Sequence, residues 1–179
     1  MLNQHWRVTT SARKDFVRNL IVEHVDAENA RDMQRTLATY SDDCVFDDVP
    51  TQTLFEGKDS IGTSYLERFE AYPNLQRIIT RMTVDDDSCV VEITMSGPQE
   101  KPYRGFPPNK QKNSELKIVG HFEINQAGLI TRETAYYDQL AAAIQLGALP
   151  DITKPKGKLW LLLTYPYALV RIVKAKLMH

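Results

Sequence analysis

The chain has 179 residues, with 42% hydrophobic and 25% charged side chains and a net charge of −1, which fits one soluble globular domain with a core of its own. Residues 1–150 hold 16 basic and 22 acidic side chains, and so acidic a body argues against a nucleic-acid partner, which would need a basic face. No HExxH, CxxC pair, EF-hand loop, P-loop, GxGxxG or GxSxG occurs, and His5, His24, His121 and His179 form no ligand spacing, so metal, nucleotide and serine-hydrolase chemistry find no support. Acid–base chemistry carried by side chains without a cofactor, or binding alone, is left. The absence of an apolar leader, and two cysteines inside apolar runs (Cys44 and Cys89), point to free thiols and a cytoplasmic protein.

Residues 12–40 carry Phe16, Leu20, Ile21 and Val25, then Met33, Leu37 and Tyr40, at helical spacing. A break near Asp26–Asn29 is expected to divide them into two helices. His24, beside acidic neighbours, reads as a surface or edge residue. A short strand, Cys44–Asp47, is expected to stop at Pro50. A third helix follows, with Asp59 or Ser60 as N-cap, Ile61, Tyr65 and Phe69 on its buried stripe, and Pro73 as its stop.

The pattern then changes to period two. "QRIITRMTV", "SCVVEITMS", "SELKIVGHFEIN" and "GLITRETAYY" are four strand candidates, the first two joined by a hairpin at Asp85–Asp87 and the last two by one at Gly128. Between the second and third lies a long polar loop, residues 97–113, of the length that is often functional. Helices followed by a bent antiparallel sheet make an α+β fold with room for an apolar pocket. Alternation puts Ile118, Gly120 and Phe122 on one face, with Val119, His121 and Glu123 on the other. On the last strand Glu133, Ala135 and Tyr137 share the inward face.

The order of elements and three phrases, "FDDVPTQTLFEGKDSI" (46–61), "GFPPN" (105–109) and "GLITRETAYYDQLAAAIQLG" (128–147), resemble the SnoaL-like polyketide cyclase, or ester cyclase, group of the NTF2-like superfamily. The resemblance covers residues 15–150. It implies an NTF2-like (cystatin-like) α+β cone, commonly dimeric, with an apolar pocket for a small polyketide-like molecule. It also implies aldol closure of a polyketide methyl ester without metal or cofactor, using an Asp as acid/base and a His to hold the substrate. By alignment that His falls on Gly120 and that Asp on Ala135, and neither side chain can move a proton.

Two functions therefore stay open: an enzyme with a relocated acid–base group, or a silent binding protein that kept the pocket. Candidates for the relocated group are Glu133, Asp48 (or its neighbour Asp47), Asp138, which is also placed to cap a helix over "QLAAAIQ", and His121, if a bulge turns it inward. The expected pocket wall is Phe46, Tyr65, Ile118, Gly120, Phe122, Ala135 and Tyr137.

Residues 151–179 extend past the family-like domain, 1–150. They carry six Lys/Arg against Asp151 alone, or +5. The uncharged run Leu159–Val170 contains Pro166 and is too short to cross a bilayer. A stripe of Leu169, Ile172, Val173 and Leu177 beyond it suits packing on the domain or across a dimer. The alternative is peripheral membrane contact through 157–179, with Trp160, Tyr165 and Tyr167 at the headgroups.

Overall fold

The computed structural model describes residues 4–165 together with 167, 170 and 174. Helix α1 spans Gln4–Ala30 and α2 Met33–Ala38. The break between them lies at Arg31, whose φ is 56°, followed by Asp32, whose side chain accepts from the Arg35 N–H and caps α2. It falls later than the expected Asp26–Asn29, because this left-handed residue and its cap stop the helix more firmly than the polar run before them. Val17, Ile21, His24, Val25 and Glu28 make the buried face of α1. Phe16, expected on that face, is instead 46% exposed.

Strand β1 runs Tyr40–Asp48, so Tyr40 opens a strand rather than closing a helix. Pro50 lies in a single turn of 3₁₀ helix, Val49–Thr51, and a further strand, β2 (Thr53–Glu56), pairs back on β1. Helix α3, Gly57–Ala71, begins ahead of the expected Asp59 or Ser60 cap. Glu56 is its N-cap, and Asp59 sits inside the first turn, where a carboxylate still favours the helix N-terminus.

Strands β3 (Gln76–Val84), β4 (Ser88–Gln99), β5 (Asn109–Ile124) and β6 (Ile130–Tyr137) complete one sheet of order β2-β1-β6-β5-β4-β3. All neighbours are antiparallel except β1 and β6. β4 and β5 run further than expected and shorten the loop between them to residues 100–108. That loop folds on itself at Arg104 and Gly105, both at positive φ, with Tyr103 and Phe106 exchanging backbone hydrogen bonds of 3.0 and 2.9 Å. The Gln99 side chain ties it down by donating to the carbonyls of Lys101 and Phe106.

The core joins Val17, Ile21 and Val25 of α1 to Ile61 and Tyr65 of α3. Opposite them lie Cys44, Phe46, Val91, Phe122 and Ile130 of the sheet. Cys44 and Cys89 are both buried and free. Helix α4 (Gln139–Gln145) follows β6, and α5 spans Pro155–Thr164. The expected stripe Leu169, Ile172, Val173 and Leu177, with Pro166, lies outside the described residues. Leu159, Leu163, Tyr165 and Tyr167 are exposed. Among the described residues no helix is long and apolar enough to cross a membrane.

Candidate functional site, a cavity with a buried carboxylate

The register of β5 and β6 determines which side chains can meet. Ile118 pairs with Tyr137, Gly120 with Ala135 and Phe122 with Glu133. On the other side of β6, β1 places Phe46 beside Glu133 and Asp48 beside Ala135. All of these line one cavity of about 140 Å³, roughly ten times the space that one water needs. Tyr103, Arg104 and Phe106 of the folded loop and Leu146 after α4 complete its wall.

Of the expected wall residues, Phe46, Ile118, Gly120, Phe122, Ala135 and Tyr137 line the cavity. Tyr65 is 1% exposed and lies behind the lining. Of the candidate acid–base groups, Glu133 and Asp48 line it. Asp47 pairs with Arg132 instead, at 2.6 Å. Asp138 caps α4, accepting from the Ala141 N–H at 2.9 Å. His121 pairs with Thr134 without a bulge and stays on the far face of the sheet, so alternation keeps it away from the cavity.

Gly120 does not face open space. A Cβ there would lie 2.9 Å from Cε2 of Phe122 and 3.3 Å from Cγ2 of Val91. The Phe122 ring covers the position to which the resemblance assigns a histidine.

A histidine reaches this region from another element. His24 of α1 is fully buried, not at the surface, and its Nε2 lies 3.8 Å from Oε2 of Glu133. Tyr40 donates to that same carboxylate oxygen. The Tyr40 and Tyr65 hydroxyls are 3.2 Å apart, and the Tyr65 hydroxyl is 3.3 Å from His24 Nε2. Behind the ring, Nδ1 meets Thr39 Oγ1 at 2.8 Å. Thr39 donates its one hydroxyl hydrogen to the Thr36 carbonyl at 2.7 Å. Nδ1 must therefore carry a proton and donate it, which leaves Nε2 facing the tyrosines.

Two complete hydrogen-bond patterns fit this chain. In one, protonated His24 donates to Tyr65, Tyr65 to Tyr40, and Tyr40 to ionised Glu133. In the other, protonated Glu133 donates to Tyr40, Tyr40 to Tyr65, and Tyr65 to neutral His24. Shifting three protons along the chain converts one into the other, so the network can deliver or accept a proton at Glu133. Burial, with help from Glu28, pushes the Glu133 carboxyl above its ordinary range against the pull of His24, Tyr40 and Arg68. Burial and the Glu133 charge hold Tyr40 and Tyr65 far above the usual phenol value, so both stay neutral donors.

A second charged group forms the side wall. Glu28 of α1 meets Nε of Arg77 at 3.0 Å and Nη1 of Arg68 at 3.8 Å. Burial opposes its ionisation, but Arg77, His24 and Arg68 together outweigh it and hold its pKa below the ordinary value. A third group sits beside the loop, where Arg104 pairs with Asp48 and donates to Ser64 at 3.1 Å. Tyr137 donates to Asp48 at 3.3 Å, and burial followed by the Asp48 charge raises its pKa. No cluster of three or more His, Cys, Asp or Glu suited to a metal ion occurs among the described residues.

His24, Glu28 and Arg77 were missed in the sequence because they are polar. The signal was spacing: His24 and Glu28 continue the helical stripe of Val17 and Ile21. Arg77 carried no comparable sign.

The family model for the SnoaL-like domain matches residues 21–133. Among solved structures, the chain is similar to a candidate SnoaL-like polyketide cyclase from Jannaschia sp. CCS1. The identity is 21% over 76% of this chain and 95% of that one, with a TM-score of 0.69. AclR, a candidate hydroxylase from Streptomyces galilaeus, matches at 19% identity over 77% and 89% of the two chains, with a TM-score of 0.67. A protein with a ketosteroid isomerase-like fold from Catenulispora acidiphila matches at 15% over 72% and 92%, with a TM-score of 0.61. No curated protein matches the chain. Likeness at these identities establishes the fold, the α+β cone of the NTF2-like proteins, and one fold hosts many chemistries.

Proposed function

Because this chain belongs to the SnoaL-like domain family, whose model matches residues 21–133, we propose that it is an acid–base enzyme of the cyclase, isomerase or lyase kind. Its substrate is a small apolar carbonyl compound. One observation carries this reading: a buried carboxylate, Glu133, lines the cavity and is hydrogen-bonded into a chain of donors that ends at His24. The acid–base pair expected at Ala135 and Gly120 has moved. The carboxylate is on the same strand, one inward position earlier and about 7 Å away, and the histidine comes from α1.

In this reading Glu133 takes a proton from the carbon next to a carbonyl. The C–H bond breaks, an O–H bond forms on Glu133, and the electron pair moves to the carbonyl oxygen as an enolate. Returning the proton at another atom gives isomerisation. Attack of the enolate carbon on a second carbonyl of the same molecule forms a C–C bond and breaks that carbonyl's π bond, and the alkoxide takes back the proton from Glu133, which gives an aldol closure. A raised carboxyl pKa suits this work, because it makes the carboxylate a stronger base than an ordinary one. Tyr40, Tyr65 and His24 are positioning residues that hold Glu133 and exchange protons with it.

The test is deuterium exchange at the acetyl methyl group of 2-acetylnaphthalene and of its carboxylated analogue 6-acetyl-2-naphthoate in D₂O, followed by NMR. Wild-type protein should accelerate the exchange, and Glu133→Gln should lose about 10²–10⁴ of the acceleration. Exchange no faster than in buffer would favour the binding-only alternative. Acceleration unchanged in Glu133→Gln would move the base to Asp48.

A further inference from the structure

Three arginines line the cavity, Arg68, Arg77 and Arg104, and they are not equally matched by acids. Arg104 is paired with Asp48 and also donates to Ser64 and Thr51. Arg68 and Arg77 share a single carboxylate, Glu28. The cluster of Arg68, Arg77 and Glu28 therefore keeps one positive charge.

That charge is held ready for a partner. The Arg68 guanidinium lies between two aromatic faces, 5.4 Å from the centre of Phe46 and 5.1 Å from that of Tyr65. Its polar contacts are long, 3.5 Å to the Tyr103 hydroxyl and 3.8 Å to Glu28. Arg77 is 6% exposed, and its Nη2 has no hydrogen-bond partner among the described residues. A buried, unpaired guanidinium N–H is costly, and a planar anion with two oxygens fits such a fork.

We propose that the ligand of this cavity is an apolar monocarboxylate whose carboxylate docks on Arg68 and Arg77. Its apolar body then lies over Ile118, Gly120 and Phe122 toward Glu133. This rests on the reading of the cavity as the reaction site and names the class of substrate it takes. A methyl ester of the same shape can still accept from the Arg77 Nη2 through its carbonyl oxygen, but it brings no charge and no second equivalent oxygen, and so binds more weakly. One net positive charge matches a monoanion, and a phosphate ester with two charges would leave one uncompensated in an apolar wall.

Calorimetric titration of the full chain with 2-naphthoate and with methyl 2-naphthoate tests this. The acid should bind at least tenfold more tightly than its ester at pH 7. Arg68→Met should abolish that preference, and Glu133→Gln should keep it, which separates the docking site from the proton-transfer reading. Equal or tighter binding of the ester to wild-type protein overturns the proposal whether or not any variant folds. Failure of both ligands to bind at millimolar concentration overturns it as well.

Discussion

Glu28 and Glu133 line the same cavity, both buried, and the protein shifts them in opposite directions. Burial raises the pKa of both, so burial alone cannot decide the sign. Glu28 has Arg77 at 3.0 Å and Arg68 at 3.8 Å, and those cations outweigh desolvation. Glu133 has a phenol and a histidine nearby, and desolvation wins. One side wall is thus a fixed ion cluster, while the neighbouring carboxylate is kept able to exchange protons.

The largest expected effect comes from breaking the fixed side. Glu28→Gln leaves two buried guanidinium groups without their anion and should cost about 3–5 kcal/mol in urea unfolding. Glu133→Gln keeps an acceptor for Tyr40 and should cost much less. A loss in Glu133→Gln equal to that in Glu28→Gln would break the contrast.

A smaller effect should follow from making the second carboxylate resemble the first. Gly120→His would put an ionisable base next to Glu133, but its side chain must displace the Phe122 ring, at an overpacking cost of about 1–3 kcal/mol. Phe122→Leu with Gly120→His should be less destabilised than the sum of the two single variants. Strict additivity would mean that the ring does not cover Gly120. In the folded double variant, the Glu133 carboxyl should titrate lower than in wild type, read by NMR.

The smallest effect is in the pH dependence of stability, and the two carboxylates give it opposite signs. The folded-state pKa of Glu28 is lowered, so its contribution is present above the unfolded value and lost as pH falls through the folded one. That of Glu133 is raised, so its contribution is complete below the unfolded value and lost as pH rises through the folded one. Thermal unfolding across pH should therefore lose its acid-side slope in Glu28→Gln and flatten on the less acidic side in Glu133→Gln. Identical profiles for the two variants would contradict the opposite shifts.

Most of the architecture was legible in the chain. Period-two runs located four of the six strands, and alternation put Gly120, Phe122, Glu133, Ala135 and Tyr137 on one face, because side-chain direction in a strand is a local property of the backbone. Helix ends were less legible: Arg31 and Glu56 break and start helices through backbone angles and a cap that residue type did not announce. β2 was missed because a strand of four residues shows too little alternation to read.

The site itself depended on encounters between distant parts of the chain. Tyr40 meets Glu133 across 93 residues of sequence, and Arg68 meets its aromatic faces on β1 and α3. The sequence alone could say that Gly120 and Ala135 carry no proton-transfer group. Only the packed structure brings His24 from α1 to the carboxylate, lays the Phe122 ring over Gly120, and separates Glu28 from Glu133 by the arginines beside the first. Face alternation follows from the geometry of one strand, whereas protonation and charge balance follow from distances that exist only when several elements close around the same cavity.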